Sequence, residues 1–222
     1  MNILITKDIN KQQGLTVLEL VVVMSIFVVI SAIMLFNYSQ YRSNISLGNL
    51  AQDIALTVRK AQVYAIGVKG ADVNGGGRQF PGYGLHFYIP NLPGSVTSGS
   101  DRSFIFFSDI PFTPGMIGDH TYNQLTSTCD NLMYGNECMN IIDITSSDRI
   151  TSLCADTLCV GSALSPSVDI VFTRPNPEPT FCFRTNGGSC TTLASYISIK
   201  VQSTDGREKV ISIWNTGQIR ID

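Results

Sequence analysis

Charged side chains and histidines are scarce in this sequence. Lysine, arginine, aspartate and glutamate supply only 14% of its 222 residues, and the formal net charge is −2. This charge density is low for a soluble protein, and the excess of basic residues that marks a nucleic-acid-binding surface is missing. The composition therefore argues against a nucleic-acid partner, and the length suits one domain, or one domain with an appendage.

Because only two histidines occur, few catalytic arrangements can be built. His86 lies in an apolar, strand-like pattern, where a packed or exposed strand position is the simplest interpretation. His120 follows Asp119 in a predicted loop, and no nucleophile forms a recognisable motif with either histidine. The sequence therefore predicts no enzyme activity, no catalytic residue and no cofactor. An anchored extracytoplasmic enzyme that uses one of these histidines stays an alternative.

The sequence also lacks residues at the spacing of known metal-binding loops. The acids near the cysteines, Asp143, Asp148 and Asp156, do not follow the regular spacing of a calcium loop. The glycine-rich stretch Gly67–Gly82 lacks the lysine and the following helix of a phosphate-binding loop, so we predict a flexible connector there. We predict no metal ligand, and a calcium site is left open.

Cysteine is absent from the first 128 residues and then occurs six times. An even number of cysteines beyond a membrane segment favours disulfides formed in an exported, oxidising compartment. The sequence alone cannot fix the pairing, but the close spacing suggests three short-range pairs: Cys129–Cys138, Cys154–Cys159 and Cys182–Cys190. A zinc site and free buried thiols stay alternatives, although only Cys154 and Cys159 approach the spacing of zinc ligands.

An apolar run over Leu15–Phe36 contains a single charged residue, Glu19. A helix of this length, about 33 Å, spans the hydrocarbon core of a bilayer. The run is too long for the core of an ordinary signal peptide and does not end in a small-residue cleavage site. It is therefore either a plain signal anchor or a segment cut between Gly14 and Leu15. The cut would place a new amine about one helical turn from Glu19.

The residues G-LTVLELVVVMSIFVVISAIML, which begin at Gly14, resemble the class III signal of type IV pilins and pseudopilins. Four positions match that family's pattern: Gly14, Thr16, Glu19 and Leu20. Leu15 stands where phenylalanine is commoner. The resemblance implies that a prepilin peptidase removes residues 1–14 and methylates the Leu15 amine. It also implies that Glu19 pairs with the N-terminus of a neighbouring subunit during assembly.

The same resemblance implies partners and a location. The partners are the prepilin peptidase, other pilin or pseudopilin subunits and an inner-membrane assembly platform. The chain is expected to be a single-pass inner-membrane protein with an extracytoplasmic domain, and later to enter a pilus or pseudopilus. Its role is then structural.

A second apolar pattern follows the membrane-length run. Six residues recur at steps of three and four, as on one face of a helix: Leu47, Leu50, Ile54, Val58, Ala61 and Ala65. Gly67 and Gly70 are helix stop signals. We predict one long helix over residues 15–67, membrane-spanning and then amphipathic, followed by a globular β-domain over residues 68–222.

Short runs rich in β-branched and aromatic residues predict the strands of that domain. They are Tyr83–Ile89, Ser103–Phe107, Ile141–Ile144, Val168–Phe172, Thr180–Arg184, Tyr196–Gln202, Lys209–Trp214 and Gln218–Ile221. Asp205-Gly206 is a hairpin turn signal, and Thr121–Cys159 is predicted to be a loop-rich insertion held by cysteines. The predicted fold is α+β and pilin-like, with a long N-terminal helix packed on a mainly antiparallel sheet with cysteine-stapled loops.

Three further stretches, LAQDIALTVRKAQVYAIG, GYGLHFYIP and FIFFSD, resemble the H-type minor pseudopilins of type II secretion and related minor pilins. This resemblance implies a low-copy subunit near the tip of a fibre. The alternative within the same architecture is a minor pilin that acts as a tip adhesin or as a DNA- or substrate-binding module. The few basic residues in Thr121–Cys190 argue against DNA.

Overall fold

The computed structural model describes residues 16–91, 99–113, 116–124, 129 and 132–222. The chain divides into an N-terminal unit that ends at Arg42 and a C-terminal unit, Ser43–Asp222. One α-helix, α1, runs over Val17–Ile66 and contributes to both units. Its end agrees with the stop signal predicted at Gly67.

In the N-terminal unit, valine, isoleucine, leucine and methionine supply 14 of the 19 residues in the Val17–Leu35 stretch of α1. Valine and isoleucine are poorer helix formers than leucine, because branching at Cβ restricts their side chains. A bilayer overrides this preference, since a backbone in hydrocarbon must satisfy its own hydrogen bonds, which a helix does within one segment. The helical form of this stretch is therefore the one that a membrane requires.

The C-terminal unit is formed by strands after the end of α1. The described strands are β1 (Ala71–Val73), β2 (Gly77–Gln79), β3 (Gly82–Tyr88), β4 (Ser103–Asp109), β5 (Cys138–Asp143), β6 (Arg149–Ala155), β7 (Leu158–Val160), β8 (Ser167–Phe172), β9 (Pro179–Arg184), β10 (Tyr196–Gln202), β11 (Glu208–Trp214) and β12 (Ile219–Ile221). A short 3₁₀ turn spans Ser162–Leu164. All strand pairs are antiparallel.

The strands form two five-stranded sheets and one hairpin. Sheet I has the order β12-β11-β10-β6-β7, sheet II has the order β5-β4-β3-β8-β9, and β1 pairs with β2 alone. The hairpin of β10 and β11 turns at the predicted Asp205-Gly206 signal, with Ser203 N–H bonded to the Arg207 carbonyl at 2.9 Å. The predicted α+β, pilin-like architecture is confirmed, but the single sheet that we expected is split in two.

The core of the C-terminal unit joins the helix to both sheets. All six residues of the predicted helical stripe are buried in one cluster with Phe87, Phe172 and Ile199. Fully burying a large apolar side chain contributes about 1.5–3 kcal/mol, so this cluster stabilises the unit. The amphipathic interpretation of Ser46–Ile66 is confirmed.

One prediction about a loop was wrong, and a second one missed two strands. Gly67–Gly82, predicted to be a flexible connector, contains β1 and β2, whose turn uses positive φ at Gly75 and Gly77. Thr121–Cys159, predicted to be a loop-rich insertion held by cysteines, does contain two disulfides, but it also contains β6 and the start of β7 beside the predicted strand at β5. The strand β6 pairs with β10, more than 40 residues later in the chain, and such a distant partner leaves no local signal in the sequence.

Three disulfides join the close-spaced cysteine pairs: Cys129–Cys138, Cys154–Cys159 and Cys182–Cys190. The second pair joins residues directly opposite each other on β6 and β7. The first attaches the β4–β5 connection, residues 110–137, to the start of β5. Loops this short stabilise a fold by roughly 2–3 kcal/mol each in the chain-entropy model.

Candidate functional site

The first turn of α1 contains the residues of the predicted assembly motif that the structure describes. Thr16 precedes the helix, and its Oγ1 accepts a hydrogen bond from the Glu19 backbone N–H at 3.2 Å. The Thr16 carbonyl accepts a second bond from the Leu20 N–H at 3.1 Å. Thr16 is therefore the N-cap, and Thr16 with Glu19 has the T-x-x-E spacing of a capping box. The sequence analysis matched Thr16 to a motif but missed this capping role.

Glu19 is exposed in this first turn. The positive end of the helix macrodipole stabilises an acidic side chain at this position, and a charge near a helix end costs less in a membrane than one at the centre. In the described part of the chain, no basic side chain pairs with the Glu19 carboxylate. The predicted cleavage and methylation positions, Gly14 and Leu15, lie outside the described residues.

The helix surface beyond Glu19 is apolar. Every large apolar side chain in Val17–Leu35 is exposed, and none of the residues in its most apolar window is buried. By length and composition, α1 is the one described helix that could cross a membrane. An exposed apolar surface of this size marks contact with a membrane or another protein.

A comparison with protein-family models matches residues 9–35 to the prokaryotic N-terminal methylation motif. The chain carries a class III prepilin signal. The match supports a type IV pilin-like protein, in agreement with the α+β architecture. Searches of curated proteins and of solved structures found no match.

A prepilin signal followed by a single apolar helix fits a membrane-anchored pilin that later enters a pilus. The signal implies processing by a peptidase and assembly with other pilin subunits. It also suggests a structural subunit and not an enzyme. These conclusions rest on the N-terminal unit, because the matched residues end before the C-terminal unit begins.

The C-terminal unit contains a second group of functional interest, in which three carboxylates meet. Oxygen atoms of Asp109, Asp119 and Glu137 all lie within 4.8 Å of one another. Glu137 is fully buried and accepts hydrogen bonds from the backbone N–H of Ile110 at 3.0 Å and of Asn123 at 2.7 Å. Burial raises the pKa of Glu137 to about 9, and the two neighbouring carboxylates add to this effect.

This carboxylate group could hold a cation, since carboxylate oxygens are the ligands that calcium prefers. Sequence analysis missed it because its members are spread over nearly thirty residues (109 to 137). The acids that we did consider are not brought together. Asp148 accepts hydrogen bonds from Ser46 and Ser146, whereas Asp156 accepts the backbone N–H of Ser195.

His120 packs against the carboxylate group. Its Nδ1 lies 3.3 Å from Asp109 Oδ2, and its backbone N–H donates to Asp109 Oδ1 at 3.3 Å. The Asp109 carboxylate beside the imidazole raises the pKa of His120 above its ordinary value, against the opposing effect of burial. The backbone hydrogen bond and the close side-chain contact together attach the β4–β5 connection to the end of β4.

His86 belongs to a separate charged network on sheet II. Its Nδ1 lies 2.5 Å from Asp169 Oδ1, and Asp169 Oδ2 lies 3.2 Å from Arg184 Nη1. The Tyr122 ring covers the imidazole, with ring centres 4.7 Å apart. The network joins β3, β8 and β9 under the β4–β5 connection. The sequence analysis predicted either a packed or an exposed strand position for His86, and the structure shows the packed one.

Proposed function

We propose that the chain is a minor pilin or pseudopilin subunit, of the H-type, that assembles into a type IV pilus-like or type II secretion pseudopilus fibre. The observation that carries the proposal is the position of Glu19. Its carboxylate lies in the first turn of an exposed apolar helix, without a basic partner among the described residues and inside the methylation motif matched over residues 9–35.

In this proposal a prepilin peptidase removes residues 1–14 and methylates the Leu15 amine. The helix over residues 15–67 anchors the subunit, and residues 68–222 form the extracytoplasmic domain. In the membrane, Glu19 pairs with the N-terminal amine of a neighbouring subunit. Such a pair offsets the cost of a charge in hydrocarbon and fixes the axial stagger of one helix against the next. The inner-membrane assembly platform then incorporates the subunit.

The Glu19 pairing is tested with Glu19→Gln, which removes the charge and keeps the shape. The variant is expressed beside the wild-type machinery of its host, and the sheared fibre fraction is assayed for it. We expect normal insertion and processing but little or no incorporation. Asp143→Asn is the control, because Asp143 is an exposed acid of the C-terminal unit. Incorporation of Glu19→Gln at the wild-type level would contradict the proposal.

Mass spectrometry of the mature chain tests the processing step separately. We expect an N-terminal methyl-leucine derived from Leu15 and a mass lowered by two hydrogens for each of the three disulfides. A mature chain that begins at Met1 would show that the segment is an uncut anchor.

A further inference from the structure

A polar cleft of about 320 Å³ lies in the C-terminal unit, between the β8–β9 connection and the β11–β12 turn. Its volume is at the lower end of the range of small-molecule sites, roughly 300–1,000 Å³. Six polar side chains line it: Thr173, Asn176, Glu178, Thr180, Asn215 and Thr216. Pro179 completes the lining. The residues come from the β8–β9 connection with the start of β9 and from the β11–β12 turn, which are far apart in the sequence, so only the fold brings them together.

The hydrogen-bonding capacity of this cleft is unused within the described chain. None of the six polar side chains donates or accepts a hydrogen bond with another described residue, and none joins an ion pair there. Elsewhere in the unit, polar side chains pair with each other, as Ser198 and Ser212 do at 2.9 Å. No hydrogen bond within the described chain therefore has to break before these amides and hydroxyls bond to a ligand.

The two walls of the cleft are fixed by contacts behind them. Gln62 of α1 donates from Nε2 to the Pro177 carbonyl at 2.9 Å. Gly217 lies against the same carbonyl with φ of +79°, where a Cβ would come within 2.7 Å of the oxygen. The turn itself is closed by Gly217 N–H bonding to the Trp214 carbonyl at 2.8 Å. A site fixed in this way loses little conformational freedom on binding.

We propose that this cleft binds a neutral, hydroxyl-rich carbohydrate. Sugar hydroxyls both donate and accept hydrogen bonds, as threonine hydroxyls and asparagine amides do. Glu178 can accept from two neighbouring hydroxyls and repels an anionic ligand. An apolar ligand would displace water from the polar groups that it covers without replacing the lost hydrogen bonds, which is costly.

The binding site is tested on the full chain, purified in a detergent that contains no sugar. Cellohexaose, chitohexaose and maltohexaose are the probes, and fluorescence of Trp214 is the readout, because it is the only tryptophan and adjoins Asn215. Isothermal titration measures the affinity independently. We expect saturable binding of at least one probe. The double variant Asn176→Ala, Asn215→Ala should bind at least about tenfold more weakly, because two side-chain amides are lost.

Asn140→Ala is the matched control, since Asn140 is an exposed asparagine on β5. It should bind as the wild type does. Thermal unfolding checks the fold of each variant, and Thr216→Val, which keeps the shape and removes one hydroxyl, replaces the double variant if the latter unfolds. Absence of saturable binding to all three probes, or equal affinities of the wild type and the cleft variants, overturns the proposal. Neither result bears on fibre assembly, which the Glu19 variant tests separately.

Discussion

The N-terminal and C-terminal units use apolar residues in opposite ways. In the N-terminal unit, the apolar side chains of Val17–Leu35 are exposed all around the helix. In the C-terminal unit, one stripe of apolar residues on the same helix is buried against two sheets, while apolar residues on its other faces, such as Leu56 and Val63, are exposed. A helix that is apolar all round needs a surrounding apolar phase, whereas an amphipathic helix needs only one partner surface. The first part of α1 therefore needs an apolar environment on all sides, whereas the second part needs only the surface of the two sheets.

The largest effect that separates the two units is expected in the core. Ile54→Ala removes a side chain with 0% exposure and should lower the free energy of unfolding of the C-terminal unit by about 2–5 kcal/mol. Ile26→Ala, at a 54% exposed position of the N-terminal unit, should leave it unchanged. Chemical denaturation of both variants measures the difference. Equal losses would mean that the two stretches of helix share one core.

A charge introduced into α1 should have different effects in the two parts of the helix. Val28 and Val63 are equally exposed, at 63%. Val28→Arg places a cation in the membrane-length segment, which costs about 2.5–3.5 kcal/mol on insertion scales, and should reduce recovery in the membrane fraction. Val63→Arg faces water and should change neither recovery nor unfolding by a measurable amount. Loss of Val63→Arg from the membrane would show that the segment extends further than we propose.

The stability of the C-terminal unit should fall as pH rises. The pKa of Glu137 is raised to about 9 and that of His120 is also raised, so the folded state binds protons more tightly than the unfolded state. The stabilisation by Glu137 is complete below its ordinary pKa and is lost between about pH 5 and 9, while that by His120 is lost as pH passes its raised pKa. One pKa unit corresponds to about 1.4 kcal/mol.

Thermal unfolding between pH 5 and 9 measures this dependence. Glu137→Gln should reduce the change of stability with pH, because the amide does not titrate. It should also lower the stability itself, because an amide nitrogen cannot accept a hydrogen bond, so one of the two N–H donors, Ile110 or Asn123, loses its acceptor. An unchanged slope in Glu137→Gln would rule out Glu137 as its source. Recovery in the membrane fraction, which depends on the N-terminal unit, should not change with pH in this range. The pH dependence should therefore be confined to the C-terminal unit.

The smallest effect is expected at the helix N-cap. Thr16→Ala removes the hydroxyl that accepts the Glu19 N–H and should destabilise the first helical turn by about 1 kcal/mol. Amide hydrogen exchange at Glu19 and Leu20 should therefore accelerate, while exchange in the C-terminal unit stays the same. Thr16→Ser keeps the hydroxyl and serves as the control. If Thr16→Ser accelerates exchange as much as Thr16→Ala, the cap is not the cause.

Features that depend on residues close together in the sequence were easier to predict than features that depend on residues far apart. The helical stripe and the β10–β11 hairpin were predicted, because their signals lie within a few turns of helix or a two-residue turn. The pairing of β6 with β10 and the division into two sheets were not, since they depend on partners far apart in the chain. The group of Asp109, Asp119 and Glu137 was missed for the same reason.

The sequence by itself determined the prepilin signal, the apolar helix and the positions of the cysteines, because each depends on residues that are neighbours along the chain. It also placed Glu19 one turn from the predicted cut. Only the tertiary structure decided that His120 packs on Asp109, that Glu137 is buried, and that the β8–β9 connection and the β11–β12 turn enclose a polar cleft. Those features arise where strands from distant parts of the chain pair, and their chemistry depends on burial, which no local pattern records.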